Sequence, residues 1–438
     1  MFLPEYVRQC MDTLEAAGAV CYAVGGCVRD ACLGRTPEDY DLCTDALPEE
    51  VKHCFAHRNL VLAGEKHGTV GVVTDGGVVE ITTFRTEGGY EDSRHPDWVE
   101  FVDGIEQDLA RRDFTVNAMA YSPTAGFVDP FGGREDLRRG LLRAVGDPER
   151  RFREDPLRIL RGVRFCVRFG LTPETETLRA MNALVSTMEK LASERVFDEL
   201  CKLLPLVTAQ NLLDFAPVLT QVLPELAPAV GFLQHSPHHA YDVYTHTAYV
   251  TEAVSGNLAL RWAALLHDVG KIPAFSLDET GRGHFYGHAQ ISGEMADEAL
   301  LRLKAPTALR QQVVFLISHH MLVLSPERKC LRRALSKYGE ENLRLLIDLQ
   351  EGDFCSKGVA GEGEDFSKIR EALNGLLQED ACLHIKDLAV NGHDLMALGI
   401  SGRQIGRQLE QLLEWVLEER LPNEKEALLR AVCKEETE

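Results

Sequence analysis

The chain reads as an α+β protein: a small mixed-sheet head followed by a long all-helical body. Two observations predict this. Up to about residue 145, short apolar runs with strand character alternate with short helical patterns; beyond it, strand signals nearly vanish and helical periodicity takes over. The chain is also chemically zoned. From Arg134 to Arg168 there are eleven arginines, no lysine and six acidic residues, a net of +5 inside a protein of net charge −21. Nine of the fifteen histidines lie between His235 and His320. A chain of 438 residues exceeds one hydrophobic core. Seams are expected near 140–150, Pro217–Pro237 and Gly358–Gly363. They delimit a head (1–145), a helical neck (146–225), a histidine-rich helical domain (226–370) and a helical tail (371–438).

Residues 1–18 have the spacing of an amphipathic helix stopped by Gly18. Tyr22-Ala23-Val24 is a short strand, and Val28 to Leu33 the first turns of a helix. Gly25 and Gly26 between them let the backbone approach a ligand and present N–H groups to an anion. Asp39-Tyr40-Asp41-Leu42-Cys43-Thr44 has strand character, so Asp39 and Asp41 point to one face with Cα atoms roughly 6.5 Å apart. Such a pair can hold two divalent ions ~3.5–4 Å apart, as phosphoryl transfer requires. A phosphate cradle beside a carboxylate pair means nucleotide chemistry. The segments 69–74 and 78–84, separated by Asp75-Gly76-Gly77, form a hairpin that carries Glu80, a candidate third carboxylate. Residues between Arg85 and Val102 are polar and turn-rich, the composition of a mobile loop. Arg111 to Ala120 follows a short acidic helix, and its guanidinium, carboxylate and amide groups suit a ribose and a triphosphate.

Composition excludes several classes. No window approaches 18 consecutive apolar residues, and the N-terminus lacks the basic-then-apolar pattern of a secretory signal. Twelve cysteines are scattered without a CxxC, as reduced thiols of a cytoplasmic protein would be. The acidic balance argues against indiscriminate coating of nucleic acid, so an RNA partner would need the local arginine patch.

In that patch, Arg153 to Phe165 opens a helix with Pro156 in its first turn. Arg158, Arg161, Arg164 and Arg168 fall within about 120° of its arc, opposite Ile159, Leu160, Val163 and Val167. Asp155 and Arg158 are i, i+3 neighbours. Cytosine and adenine present an amino donor beside a ring-nitrogen acceptor, whereas guanine and uracil present the reverse order. A carboxylate that only accepts, beside a guanidinium that only donates, matches C and A.

Gly25-Gly26-Cys27-Val28-Arg29-Asp30, Asp39-Tyr40-Asp41, Thr82-Thr83-Phe84-Arg85 and Arg111-Arg112-Asp113-Phe114-Thr115-Val116-Asn117-Ala118-Met119 resemble, in order, the class II nucleotidyltransferases. These are the bacterial tRNA CCA-adding enzymes and poly(A) polymerases. Glu154-Asp155-Pro156-Leu157-Arg158 is similar to the family's templating Glu-Asp-x-x-Arg motif, and Val128 to Gly133 and Ser193-Glu194-Arg195 resemble further patterns of it. The resemblance implies a nucleotidyltransferase head that adds C, C and A to tRNA from CTP and ATP. It implies Mg²⁺ at Asp39 and Asp41 with Glu80 beside them. Gly25, Gly26, Arg29, Asp30, Arg112, Asp113 and Asn117 would bind the nucleotide, with Asp155, Arg158, Arg161 and Arg164 from the neck. The loop after Arg85 resembles the one that complete CCA-adding enzymes need for the final A.

The histidine-rich domain has His246, His267-Asp268 before Val269-Gly270-Lys271, His288, His319-His320 and Asp353. This pattern resembles the HD metal-dependent phosphohydrolases. On that resemblance His246, His267, Asp268 and Asp353 would hold one divalent metal, and His288 with His319 or His320 a second. Imidazole and carboxylate ligands suit Mn, Ni, Fe or Zn better than Mg. Residues 385–430 resemble the tRNA-contacting tail of CCA-adding enzymes with such a domain. Alternatives on the same motifs are a poly(A) polymerase or A-adding enzyme, and a phosphohydrolase whose head only binds nucleotide. No membrane association or protein partner is implied.

Overall fold

The structure, a computed structural model, describes residues 1–88, 98–358, 365–379 and 382–435. The chain divides into two units, Met1–Ala227 and Pro228–Glu438.

Unit one begins with helix α1 (Glu5–Ala16), which buries Val7, Cys10, Met11 and Leu14, spaced as one helical face requires. Strand β1 (Cys21–Val24) leads through Gly25 into α2 (Gly26–Cys32). After β2 (Asp41–Thr44) and α3 (Pro48–Cys54) come β3 (Leu60–Val61), β4 (Thr69–Thr74) and β5 (Gly77–Thr83). The β4–β5 hairpin closes over Asp75-Gly76 with Thr74 opposite Gly77. Strands β6 (Arg85–Gly88) and β7 (Trp98–Phe101) pair as an antiparallel ribbon. Most of the loop expected between Arg85 and Val102 lies outside the described residues. Helix α4 (Ile105–Ala110), β8 (Ala120–Ser122), β9 (Gly126–Val128) and α5 (Gly133–Arg139) complete the head.

The seven-stranded sheet has the order β3-β4-β5-β2-β1-β8-β9. Only β2 and β5 run parallel among its pairs, which sets Asp41 directly opposite Glu80. Val24, Leu42, Ile81, Phe84, Leu109 and Met119 are fully buried around it. The strand expected from Asp39 starts two residues later, at Asp41. The alternation nevertheless begins at Asp39: Tyr40 and Leu42 are buried while Asp39 and Asp41 face outward.

The neck departs from the sequence expectation. Instead of one helix opening at Arg153, α6 (Pro148–Glu154) ends and α7 (Leu157–Phe169) begins after a break at Asp155-Pro156. Proline has no N–H to continue a helix and disfavours helical backbone in the residue before it, and Asp155 is extended (φ −144°, ψ 99°). The Asp147 carboxylate caps α6 through the amides of Glu149 and Arg150. A short ribbon pairs β10 (Leu141–Leu142) with β11 (Thr172–Pro173). Helices α8 (Thr175–Leu184), α9 (Ser193–Leu203), α10 (Ala209–Asp214) and α11 (Ala216–Val222) follow.

In unit two, α12 (Val243–Ala253) and α13 (Leu258–Leu266) precede the short α14 (Lys271–Ala274). Helix α13 buries eight of its nine residues, including Trp262, as a central core helix does. A ribbon of β12 (Ser276–Leu277) and β13 (Gly283–His284) leads to α15 (His288–Arg302) and α16 (Thr307–His319). Then come α17 (Arg328–Tyr338), α18 (Glu340–Cys355) and α19 (Phe366–Gln378). The tail helices α20 (Gly392–Ala397), α21 (Arg403–Leu417) and α22 (Lys425–Glu435) share a core of Leu395, Leu412, Val416, Leu428 and Val432.

Candidate functional site

A cavity of about 470 Å³ opens beside the carboxylate pair of unit one. Asp39 and Asp41 line it, with Gly25, Gly26, Arg29 and Asp30 from the β1–α2 turn. Arg112, Asp113 and Asn117 come from the segment after α4, and Asp155, Arg158 and Arg161 from the neck. Twelve of the residues expected to act on a nucleotide therefore share one wall, although they span more than 130 positions. Glu80 stands next to Asp41 across the β2–β5 pairing. Burial, then Asp39 and Glu80, push the Asp41 carboxyl up to about 6, against the pull of Arg112. Three crowded carboxylates beside a single compensating guanidinium fit a divalent cation, which would relieve their repulsion.

Gly25 is required twice over. Its backbone is left-handed (φ 71°), and a Cβ there would stand 2.8 Å from Nη1 of Arg112. Arg112 thus lies against the glycine turn, and its Nε is buried with no hydrogen-bond partner. From the turn a polar chain runs to the neck. Arg29 donates to Asp30 (2.9 Å) and to Asn117 (2.6 Å), and Asn117 donates to Asp113 (3.0 Å). Arg161 donates twice to Asp113 (3.0 and 2.7 Å). Burial alone would push the Asp113 carboxyl up, but Arg161 and Asn117 hold it down to about 2.

Asp155 and Arg158, expected as neighbouring acceptor and donor, both line the cavity, and their side chains do not bond to each other. Pro156 breaks the helix, so Asp155 is not on α7; the Arg158 amide donates to the Asp155 carbonyl (3.0 Å), but the two side chains bond elsewhere. Asp155 instead accepts from both terminal nitrogens of Arg195 (3.3 and 2.7 Å), on α9. Arg158 donates to Glu154 (2.9 Å) and to the carbonyls of Arg151 (3.0 Å) and Arg111 (3.3 Å). Each is held separately at the cavity wall. Arg164 does not line the cavity; it is buried against Glu199 of α9, to which its Nε donates.

Asp108 was not singled out in the sequence, although it precedes Arg111 and Arg112 by three and four positions on α4. It is fully buried. Its Oδ1 accepts from Nε and Nη2 of Arg111 (2.9 and 2.8 Å), and its Oδ2 from Arg112 (3.3 Å). Burial would raise its pKa, but these two guanidiniums hold it below the usual carboxylate range. Asp108 therefore positions both arginines. Asp108→Asn is expected to raise KM for the nucleotide roughly tenfold or more, with KM for the acceptor substrate little changed. Steady-state kinetics with each substrate varied separately measures this.

In unit two His246, His288 and Asp353 come from α12, α15 and α18, and His267, Asp268 and His320 from just past the ends of α13 and α16. Nε2 of His246 lies 2.9 Å from Asp353 and 3.5 Å from Oδ2 of Asp268, with His267 3.1 Å from the same oxygen. The other oxygen of Asp268 faces His288 at 3.5 Å, and His288 meets His320 nitrogen to nitrogen at 3.2 Å. Asp268 thus joins two ligand triples, His246-His267-Asp268 and Asp268-His288-His320. Each ring turns Nδ1 to a backbone carbonyl: Ser356 for His246 (3.3 Å), Ala264 for His267 (2.8 Å), Phe285 for His288 (2.8 Å) and Ile317 for His320 (2.6 Å). That arrangement leaves Nε2 as the lone pair offered inward. Nε2 of His246 and of His267 are buried and face carboxylate oxygens of Asp268 and Asp353, which fits a cation between them.

The sequence left His319 and His320 open. His320 faces the cluster, while His319 stacks on Phe315 and meets Tyr338 edge-on. Burial, then His267, bring His320 down to about 4, and burial lowers His288, so both rings are in the neutral, ligating form at pH 7. Burial would raise Asp268, but His267 and Lys271, whose Nζ is 2.7 Å away, hold it well down. Gly270 explains how His288 arrives there. A Cβ at this glycine would stand 2.5 Å from the Ser292 amide, so only glycine lets the start of α15 pack this closely.

A mixed sheet that sets a carboxylate pair beside a glycine turn, with arginines of a helical neck on the same cavity, is the arrangement of a nucleotidyltransferase. The chain belongs to the CCA-adding enzyme family. Residues 21–143 match the Poly A polymerase head domain family and residues 284–432 the family described as tRNA nucleotidyltransferase domain 2. The chain is 34% identical over 437 residues to a CCA-adding enzyme of Levilactobacillus brevis, covering 98% of this chain and 97% of that one. It is 33% identical over 439 residues to that of Streptococcus mutans, covering 99% and 98%. Among solved structures, the Bacillus stearothermophilus CCA-adding enzyme in complex with CTP matches all of both chains with a TM-score of 0.68 at 27% identity. The Thermotoga maritima enzyme complexed with tRNA shares the fold (TM-score 0.61, 21% identity, 99% and 96% coverage).

Proposed function

We propose that this chain adds C, C and A to the 3′ end of tRNA from CTP and ATP. One observation carries the reading: the Asp39/Asp41 pair, the Gly25-Gly26 turn and the neck residues Asp155 and Arg158 line one cavity. Asp39 and Asp41 would hold Mg²⁺, with Glu80 adding charge beside them. A divalent ion held there would supply charge to ease deprotonation of the RNA 3′-hydroxyl and to neutralise the departing pyrophosphate. Backbone N–H groups of the glycine turn, with Arg29 and Arg112, receive the triphosphate. Asp113 and Asn117 stand where a ribose would lie. Nε of Arg158 takes part in none of the bonds described above and can donate to N3 of cytosine or N1 of adenine; Asp155 can accept from the exocyclic amine. The base is thereby chosen by protein, without a nucleic-acid template. Arg161 orients Asp113, and Arg164 braces α7 against α9. Head, neck, histidine-rich domain and tail keep the sequence boundaries in this reading, with the last contacting tRNA.

Incubation with tRNA ending at the discriminator base, CTP and ATP should give ordered addition of C, C and A. A tract of A would instead assign a poly(A) polymerase, addition of A alone to tRNA already ending in CC an A-adding enzyme, and no extension a head that only binds nucleotide.

The His/Asp cluster supports a second activity, hydrolysis of cyclic or terminal phosphates by an HD-type site. The inward Nε2 lone pairs around the shared carboxylate of Asp268 carry it. His246, His267, Asp268 and Asp353 would hold one Mn, Ni, Fe or Zn ion, and Asp268, His288 and His320 a second. His267→Ala is expected to remove bound metal, read by elemental analysis, and with it hydrolysis of 2′,3′-cyclic nucleotides. Hydrolysis that persists in this variant would place the activity elsewhere.

A further inference from the structure

The cavity over the His/Asp cluster is small, about 250 Å³, lined by Asp268, His288, His320 and Asp353 at its base and by Lys357 and Tyr286 among others. Ligand sites usually exceed ~300 Å³. A phosphate and a sugar fill such a space, and anything larger must lie at the mouth. Tyr286, two residues before His288, is 79% exposed there, an unusual state for so large a ring. Its ring lies nearly parallel to that of His284 (6°, centroids 5.3 Å apart).

The exposure is imposed by anchors on either side. His284 is fixed by Asp278 (2.8 Å), whose Oδ1 also accepts from Thr280 and from the amide of Arg282. Phe285 packs on Phe275, and its carbonyl accepts from His288. Gly283 is pinned by its amide to the carbonyl of His235 (2.8 Å). Tyr286 therefore stands braced from behind by an aromatic ring, with its other face to solvent beside a phosphate-sized cavity. Nδ1 of His239, which also lines the cavity, is buried and unpartnered, and Lys357 brings positive charge to the rim.

We propose that Tyr286, backed by His284, is a base-stacking subsite that makes the second site select nucleoside phosphates over base-free phosphate esters. The phosphate lies toward Asp268 and the histidines, the sugar fills the cavity, and the base stacks on the outer face of Tyr286. Every nucleobase has a π-face, so the subsite tolerates all four bases. The proposal rests on the cluster binding a metal, and its test separates the two.

The full-length chain and its His267→Ala variant are titrated calorimetrically with Mn²⁺, then with guanosine 5′-monophosphate and with ribose 5-phosphate, and the difference between the two chains gives the share of the His/Asp cluster. Tyr286→Ala is expected to weaken guanosine monophosphate about tenfold or more and to leave ribose 5-phosphate unchanged, while Tyr286→Phe binds both as the parent does. Equal weakening of both ligands, no weakening of either, or an effect confined to tRNA affinity overturns the proposal. So does a parent chain that takes up Mn²⁺ but does not bind the nucleotide. A parent chain that takes up no more Mn²⁺ than His267→Ala refutes the metal reading, and the subsite falls with it.

Discussion

Asp41→Asn is expected to abolish nucleotide addition, lowering kcat by roughly a thousandfold or more, the scale on which loss of a metal's charge stabilisation acts. Asp41 is the one carboxylate of the three that borders both others: Asp39 lies two residues before it and Glu80 across the parallel strand. An amide there removes a charged oxygen from the proposed metal site while keeping the shape. Single-turnover assays with tRNA, CTP and Mg²⁺ measure the loss, and a fall of less than tenfold would remove Asp41 from the transfer step. The same variant carries an opposite expectation for stability. In the metal-free chain the Asp41 pKa is raised to about 6 from the model-peptide value near 4. A carboxyl raised on folding favours the native state while protonated, and that contribution is lost as pH rises through the folded pKa. Asp41→Asn, permanently uncharged, should therefore melt higher than the parent at pH 7.5 in chelator, with the difference shrinking toward pH 4. Thermal melts at the two pH values check this. Adding Mg²⁺ at pH 7.5 should narrow the gap, because the cation relieves in the parent the repulsion that the substitution removes.

The parts of this molecule legible in the sequence were those set by local periodicity and backbone chemistry. Alternation placed Asp39 and Asp41 on one face even though the hydrogen-bonded strand begins at Asp41. Asp75-Gly76 announced the hairpin, and that hairpin carries Glu80 to Asp41. What escaped was partner choice over long separations. Asp155 finds Arg195 forty positions away, because the Pro156 break removes it from the helix that would have presented it to Arg158. Proline was read as compatible with a first turn, which it is; the turn that it starts is α7, after another helix has ended. Asp108 escaped because charged residues are seldom fully buried, and only the fold shows two arginines closing over it. The choice between His319 and His320 was open for the same kind of reason. Adjacent residues at a helix end point in different directions, and only the packing of Phe315 and Tyr338 decides which one is inward.

The separate anchoring of Asp155 and Arg158 changes what Arg158→Ala should do. Had the two formed a pair, deleting the arginine would have released Asp155 and blurred the whole base site. In the structure Asp155 keeps both bonds to Arg195, so the acceptor half survives and only the donor half is lost. Cytosine and adenine then lose one hydrogen bond, while uracil and guanine are freed from a donor that opposes their own N–H. Each mismatch of this kind costs roughly 1–3 kcal/mol, so the preference for CTP over UTP in kcat/KM should fall about ten- to a hundredfold. Asp155 still disfavours the carbonyl of uracil, so selectivity should be reduced and not erased. Arg158 also donates to the carbonyl of Arg111, whose side chain shares Asp108 with Arg112. The residues proposed for base recognition and for the triphosphate are thus joined through one short segment. Some loss in KM for both nucleotides should accompany the loss of choice, and Asp108→Asn should reproduce the first effect without the second. If Arg158→Ala keeps the parent's ratio of CTP to UTP use at an unchanged melting temperature, these side chains do not select the base.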